Sequence, residues 1–215
     1  MNDLTEEQIR TELALILDRR SADTRLSTMG AGSDDLDEGR RYLANTVRDG
    51  WHVPTWPKEH GGQDASAHQN SLIGRVLREF VVPDLYPFAI GLGMVGPALL
   101  EHGTEVQQRD WLKPIASGEA IWCQMFSEPE AGSDLANVAL TAQQDGDEWI
   151  LGGQKTWTSR AMWADWAICL ARTDPTQTKH KHSSTHTNTH TQHKHAHTHT
   201  HKHATHTQTH THTHQ

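Results

Sequence analysis

Two stretches carry the residue types that could do chemistry. Residues 122–134 read W-C-Q-M-F-S-E-P-E-A-G-S-D, and residues 154–159 read Q-K-T-W-T-S. In the first, an apolar run ends in a loop that offers hydroxyls and backbone N–H groups. Its Ala and Gly keep the loop slim. Such a loop can lie under a planar polar ligand or reach a phosphate. An ordinary turn rich in turn formers has the same composition. In the second stretch Thr156, Thr158 and Ser159 flank Trp157. A ring face beside hydroxyls suits a flat aromatic cofactor, and a tryptophan buried in a strand reads the same way. No G-x-G-x-x-G or Walker pattern is present, so no dinucleotide or ATP site follows from a Gly-rich loop.

The elements that must position these stretches change character at about residue 120. Before it the periodicity is helical. Residues 4–20 carry Thr5 as an N-cap, acidic residues in the first turn, and Ile9, Leu13, Ile16 and Leu17 on one face. Arg19 and Arg20 then stand where positive charge complements the helix dipole. Residues 21–33 read as a loop. A second helix is expected over 34–49, stopped by Gly50. The segment 50–62, with two prolines and two tryptophans, is irregular and folds back on the core. A third helix is expected over 65–82, ended by Pro83. Residues 87–102 are apolar all round and Gly-rich, which suits a central helix with close neighbours, or a surface approached closely by ligand backbone. Thr104 caps a further helix that runs to about Ser117.

From Ala120 the segments are short and strand-like. A-I-W-C-Q-M-F-S is followed by the alternating N-V-A-L-T-A-Q-Q, a D-G-D-E turn, the return strand W-I-L-G-G, and then A-D-W-A-I-C-L-A-R-T. Helices followed by strands give an α+β class. The expected organisation is an N-terminal all-α helical domain (1–119), a partial middle β-barrel domain (120–178) and a disordered tail (179–215).

Composition bounds the partners. The net charge is −8, but four of the 19 basic residues are tail lysines. The body therefore sets 15 basic against 27 acidic residues, a poor match for nucleic acid. Cys123 and Cys169 form no metal or redox motif and read as two buried thiols in a reducing compartment. The charged N-terminus is no secretory signal, and no window has the apolar length to span a membrane. A cytoplasmic chain is expected.

The tail is Thr-His, Lys-His and Gln-His alternation, with 14 of the 18 histidines and no acidic residue. It cannot bury enough apolar surface to offset its ordering entropy. A translated AC dinucleotide repeat yields Thr-His, so an indel, a readthrough or an assembly error would produce it. The alternative is a His-rich metal tract, without fixed geometry or selectivity.

The order and spacing of five segments resemble the acyl-CoA dehydrogenase family. They are W-P-K-E-H-G-G at 56–62, E-H-G-T-E at 101–105, L-K-P-I-A-S-G-E at 112–119, S-E-P-E-A-G-S-D at 127–134, and G-G-Q-K-T-W-T-S with A-R-T at 152–159 and 171–173. The resemblance implies a helical domain, a β-barrel domain and a C-terminal helical bundle, with FAD between barrel and bundle. It implies that Gln124, Met125, Phe126 and Ser127 line the flavin and that Trp157 packs on its ring. Ser159 stands near the reactive nitrogen, where the family usually has Thr. Ser133 would contact the acyl-CoA arm. The implied reaction is α,β-dehydrogenation of an acyl-CoA thioester, with electrons passing to an electron-transfer flavoprotein. Full-length members imply a homo-oligomer.

The sequence departs from the family most decisively at its C-terminal side. The catalytic base belongs to the C-terminal bundle, which this chain lacks, and no Asp or Glu follows Asp174. Neither Glu128 nor Glu130 is assigned that role, so no catalytic residue and no metal site are expected. The chain thus reads as a truncated, inactive dehydrogenase. The alternative is a His-rich metal-binding or non-catalytic acyl-CoA/flavin-binding fragment.

Overall fold

The computed structural model describes residues 4–21, 36–146, 148–159 and 161–174, and the backbone of 185–190. The described chain divides into two compact units, residues 1–121 and 122–215.

The first unit is helical. α1 (Glu6–Leu13) starts at Thr5 through a reciprocal capping box with Gln8. It is shorter than the helix expected over 4–20. Beyond Leu13 the chain turns, and Arg19 bridges to Phe80 in antiparallel register. Arg19 and Arg20 therefore do not cap the helix. Arg19 lies 5.9 Å from the centroid of the Phe80 ring, and Arg20 donates to the Arg78 carbonyl at 3.0 Å. Long-range partners outbid the local dipole there. The loop expected over 21–33 falls almost wholly outside the described residues.

α2 (Leu36–Val47) ends two residues before the expected boundary, and the turn after it closes on Gly50 at φ 70°. Trp51 and Trp56 in the following irregular segment are both buried. α3 (Ala67–Leu77), capped by Ser66, ends five residues before the expected boundary because Phe80 pairs with Arg19 instead of continuing the helix. Ile9, Leu13, Trp51, Ile73, Val76 and Phe80 form the core between α1 and α3.

The single helix expected over 87–102 is broken. A 3-10 turn (Tyr86–Phe88) precedes a π-turn (Gly91–Val95), and only then comes α4 (Gly96–His102). Pro97 explains the break. It has no N–H, and its ring would collide with the carbonyl four residues back in a regular helix. The Gly96 N–H instead reaches the Gly91 carbonyl, a π-type bond. α5 (Glu105–Ser117) starts at Thr104 with a second capping box and ends on Gly118 in the left-handed region.

The second unit is β-rich. β1 (Trp122–Met125) pairs in parallel with β4 (Trp166–Ala171). The paired Trp122 and Trp166 stack with ring centroids 5.9 Å apart. β2 (Thr141–Asp145) and β3 (Glu148–Gly152) form the expected hairpin. The core is Leu140, Ala142, Cys169 and Ala171, with Met125, Trp149 and Leu151 packed on it. Both cysteines are free and buried, and burial pushes each thiol up to about 11.

Within the tail expected to be disordered, residues 185–190 instead lie as a strand, β5 (Thr185–His190), antiparallel to β4. Thr-His alternation has a two-residue period and β-branched content, and β4 presents a hydrogen-bonding edge to it. The other residues of 179–215 lie outside the described set. The observed class is α+β, a helical unit followed by a partial β unit, as expected.

Candidate functional site

The two motif stretches meet in the second unit. β1 delivers the chain to Phe126 and Ser127. Residues 128–131 then close a tight turn in which Glu128 and Ala131 exchange backbone bonds of 2.8 and 3.1 Å. The hairpin returns the chain to Gly152 and Gly153. Gly153 has φ 146°, and a Cβ there would sit 2.9 Å from the Leu140 Cα. Only glycine turns the chain at that spot. The Thr156 N–H then donates to the Ser127 carbonyl at 2.8 Å, so the expected ligand-lining segments lie side by side.

A buried ion pair underlies this junction. Lys155 Nζ lies 2.8 Å from Glu128 Oε1, with the side chains 2% and 6% exposed. The same ammonium donates to the Phe126 carbonyl at 3.0 Å. Glu128 also accepts the Ala139 N–H at 2.7 Å and the Leu140 N–H at 2.9 Å. Burial opposes ionisation of Glu128, but Lys155 and these two amides outweigh it and hold the carboxyl below its ordinary range. A carboxylate engaged by three donors is no free base. The Glu128 and Lys155 roles were missed in the sequence. The available signal was one opposite charge at the same edge of each motif.

Trp157 is the outlier of the unit. Its φ is 57°, and it is 88% exposed. A bulky residue in the left-handed region costs of order 1–3 kcal/mol unless something over-determines it. Beside it, the buried Thr156 Oγ1 has no hydrogen-bond partner among the described residues. Gly132, in the loop after Ser127, has φ outside the left-handed region and open space where a Cβ would stand. Nothing among the described residues requires glycine there. An exposed ring held under strain, an orphaned hydroxyl and an uncrowded slim loop all fit a planar polar ligand laid against this face.

The remaining expected residues are distributed as follows. Gln124, Phe126 and Ser127 are partly buried; Ser133 and Ser159 are exposed. Met125 packs on the unit's own core. Strand alternation therefore turns Gln124 the other way, and Met125 has backbone rather than side chain to offer a ligand. Among the described residues no cluster of three metal-binding side chains occurs. No described helix is long and apolar enough to cross a membrane.

A model of the acyl-CoA dehydrogenase N-terminal domain matches residues 5–119, and one of the acyl-CoA dehydrogenase middle domain matches residues 123–214. The chain belongs to the acyl-CoA dehydrogenase family. Acyl-CoA dehydrogenase IpdE1 of Mycobacterium tuberculosis is 39% identical over 152 residues, covering 70% of this chain and 39% of the relative. Acyl-CoA dehydrogenase FadE34 of the same organism is 43% identical over 147 residues, covering 67% of this chain and 20% of the relative. The solved structure of the Tcur3481-Tcur3483 steroid ACAD has a TM-score of 0.61 and 32% identity, covering 84% of this chain and 47% of that chain. The chain thus spans about two fifths of the length of IpdE1 and less of FadE34.

Proposed function

We propose that this acyl-CoA dehydrogenase chain supplies the flavin-facing wall and part of the acyl-CoA surface of an FAD-dependent enzyme that dehydrogenates an acyl-CoA thioester. The observation that carries this reading is Trp157, an exposed ring held at positive φ and tied through Thr156 to the backbone of Ser127. When bound, FAD supplies the two-electron acceptor for the α,β-dehydrogenation.

The chain's own residues do the rest. Trp157 offers a ring face for stacking and excludes water from one side of the ligand. Phe126 and Gln124 line the β1 side. Ser127 presents hydroxyl and backbone N–H to the polar edge of the ring. Thr156 Oγ1 and Ser159 add hydroxyls on the opposite motif. Ser133, exposed on the slim loop, contacts the pantetheine–phosphate arm of acyl-CoA. Glu128, held by Lys155 and two backbone amides, does not serve as the α-proton base. Electron transfer to an electron-transfer flavoprotein, assembly into oligomers and a cytoplasmic location belong to the same proposal.

Glu128, the acidic residue of the first motif's turn, is locked in its ion pair, which favours a second reading. In it the chain binds flavin and acyl-CoA without turnover.

Flavin titration tests the proposal. Adding FAD to the purified chain should quench flavin fluorescence saturably. Trp157→Ala should weaken binding five- to tenfold, about 1 kcal/mol of aromatic contact. A chain that retains no FAD, or Trp157→Ala with unchanged affinity, would remove the assignment. Assay with an acyl-CoA panel separates turnover from binding alone. Because one structural neighbour is described as a steroid enzyme, the panel includes a steroid-derived acyl-CoA beside straight-chain esters.

A further inference from the structure

The Glu128–Lys155 pair lies beneath the ligand face rather than on it. Lys155 Nζ reaches across to both Phe126 O (3.0 Å) and Glu128 Oε1 (2.8 Å). Glu128 reaches down to the backbone of Ala139 and Leu140, just before β2. Residues 126–128 and 155–157 are separated in the chain by the whole β2–β3 hairpin. Two of the hydrogen bonds that join them leave from one ammonium. A third, Thr156 N–H to Ser127 O, runs immediately beside it at 2.8 Å.

We propose that the Glu128–Lys155 pair is a positioning device. It locks the backbone of Phe126 and Ser127 against that of Thr156 and Trp157, so the flavin-facing wall is preformed before any ligand arrives. Glu128 and Lys155 are positioning residues and not catalytic ones. The identity of the ligand rests on the flavin reading above; the locking itself does not.

Three physical arguments support it. An anchor serving stability alone would be cheaper as packed apolar side chains, because desolvating two charges cancels most of their attraction. A buried pair with several directional bonds does, however, select one geometry. Lys155 is also placed to hold strain. It lies two residues before Trp157, whose φ of 57° needs neighbours fixed on both sides. Finally, Cys169 underneath is raised by burial and titrates only near 11, with Lys155 and Glu128 both acting on it. Its thiol is neutral at ordinary pH and leaves the pair's charges matched.

The test compares the chain with Glu128→Gln/Lys155→Met, which replaces the pair by neutral groups of similar shape. Melting temperature, backbone amide exchange and FAD affinity are measured on both. The double variant leaves no buried charge unpaired, but its new amide NH2 faces one backbone N–H and Phe126 O loses a donor, so it should stay folded and melt several degrees below the wild type. Exchange of the Thr156 amide should rise at least tenfold, and FAD should bind about tenfold more weakly. A folded double variant with Thr156 exchange and FAD affinity both within twofold of wild type would overturn the proposal. If the wild-type chain itself retains no FAD, the flavin reading falls, and the Thr156 exchange rate alone decides the locking. If the double variant does not fold, the wild type is titrated with acid. Protection of the Thr156, Ala139 and Leu140 amides should then be lost together as Glu128 protonates below the ordinary carboxylate range. Independent loss would count against the lock.

Discussion

Trp157 has a backbone conformation that glycine adopts without strain, and a side chain that the described chain leaves 88% exposed. Stability alone does not select a tryptophan there. Trp157→Gly should therefore leave thermal stability unchanged or raise it by up to about 1 kcal/mol through relief of strain. It should still lose flavin affinity as Trp157→Ala does. Calorimetric melting beside flavin titration checks both halves, and a large drop in melting temperature would show that the ring packs in solution. Ser133→Ala should weaken acyl-CoA binding several-fold while leaving flavin affinity unchanged, as read by isothermal titration with each ligand. The reverse pattern would move Ser133 to the flavin side. At this scale the residues themselves marked Trp157, a ring flanked by hydroxyls, whereas the expected roles of Ser127, Ser133 and Ser159 come from the family resemblance. The Glu128 and Lys155 roles were not marked, because their partner is set by three-dimensional proximity across 27 positions of sequence. The inward turn of Met125 was equally invisible, since a strand's face is decided by what packs beneath it.

Among elements, the caps were legible and the interruptions less so. Thr5 and Thr104 each close a capping box because the pattern is local and complete within four residues. The π-turn at Gly91–Val95 was missed, although Pro97 announces it. A Pro inside an apolar run breaks the regular ladder, and the neighbouring glycines allow the wider turn. Gly96 also admits the Trp56 ring against the helix, where a Cβ would collide with it. Gly96→Ala should cost about 2 kcal/mol of stability, an overpacking penalty, read as a lower midpoint in urea.

His52 links two helices. Its Nε2 faces the Ala116 carbonyl at 2.7 Å, and its Nδ1 faces the Thr46 hydroxyl at 2.8 Å. A carbonyl only accepts, so Nε2 carries the proton, and the one hydrogen of the Thr46 hydroxyl is shared between Nδ1 of the neutral ring and the Tyr42 carbonyl, also at 2.8 Å. Burial lowers the ring from 6.5 to about 4, against the opposing pull of Ala116. The unfolded chain then binds a proton that the folded chain does not. Stability is full above pH 6.5 and is lost as pH falls towards 4, by up to about 3 kcal/mol. His52→Gln should flatten the stability–pH slope in that window; an unchanged slope would place the titration elsewhere.

For the whole molecule, the chain divides into two compact units, residues 1–121 and 122–215. The Thr/His tail is the part whose sequence admits two origins. Zinc titration of the whole chain should show weak, multiple sites that vanish on deleting residues 180–215, without altering the melting of the body. A single tight site that raises the melting temperature would favour a metal-binding function instead. Sequence alone determined the α+β order, the capped helices, the hairpin and the family motifs. Each depends on local periodicity, on turn chemistry or on residues whose identity the chemistry demands. Tertiary structure decided the shortened α1, the parallel pairing of β1 with β4, the strained exposure of Trp157 and the ion pair beneath it. Those depend on which distant groups meet, and one burial or one long-range partner outweighs several tenths of a kilocalorie of local preference.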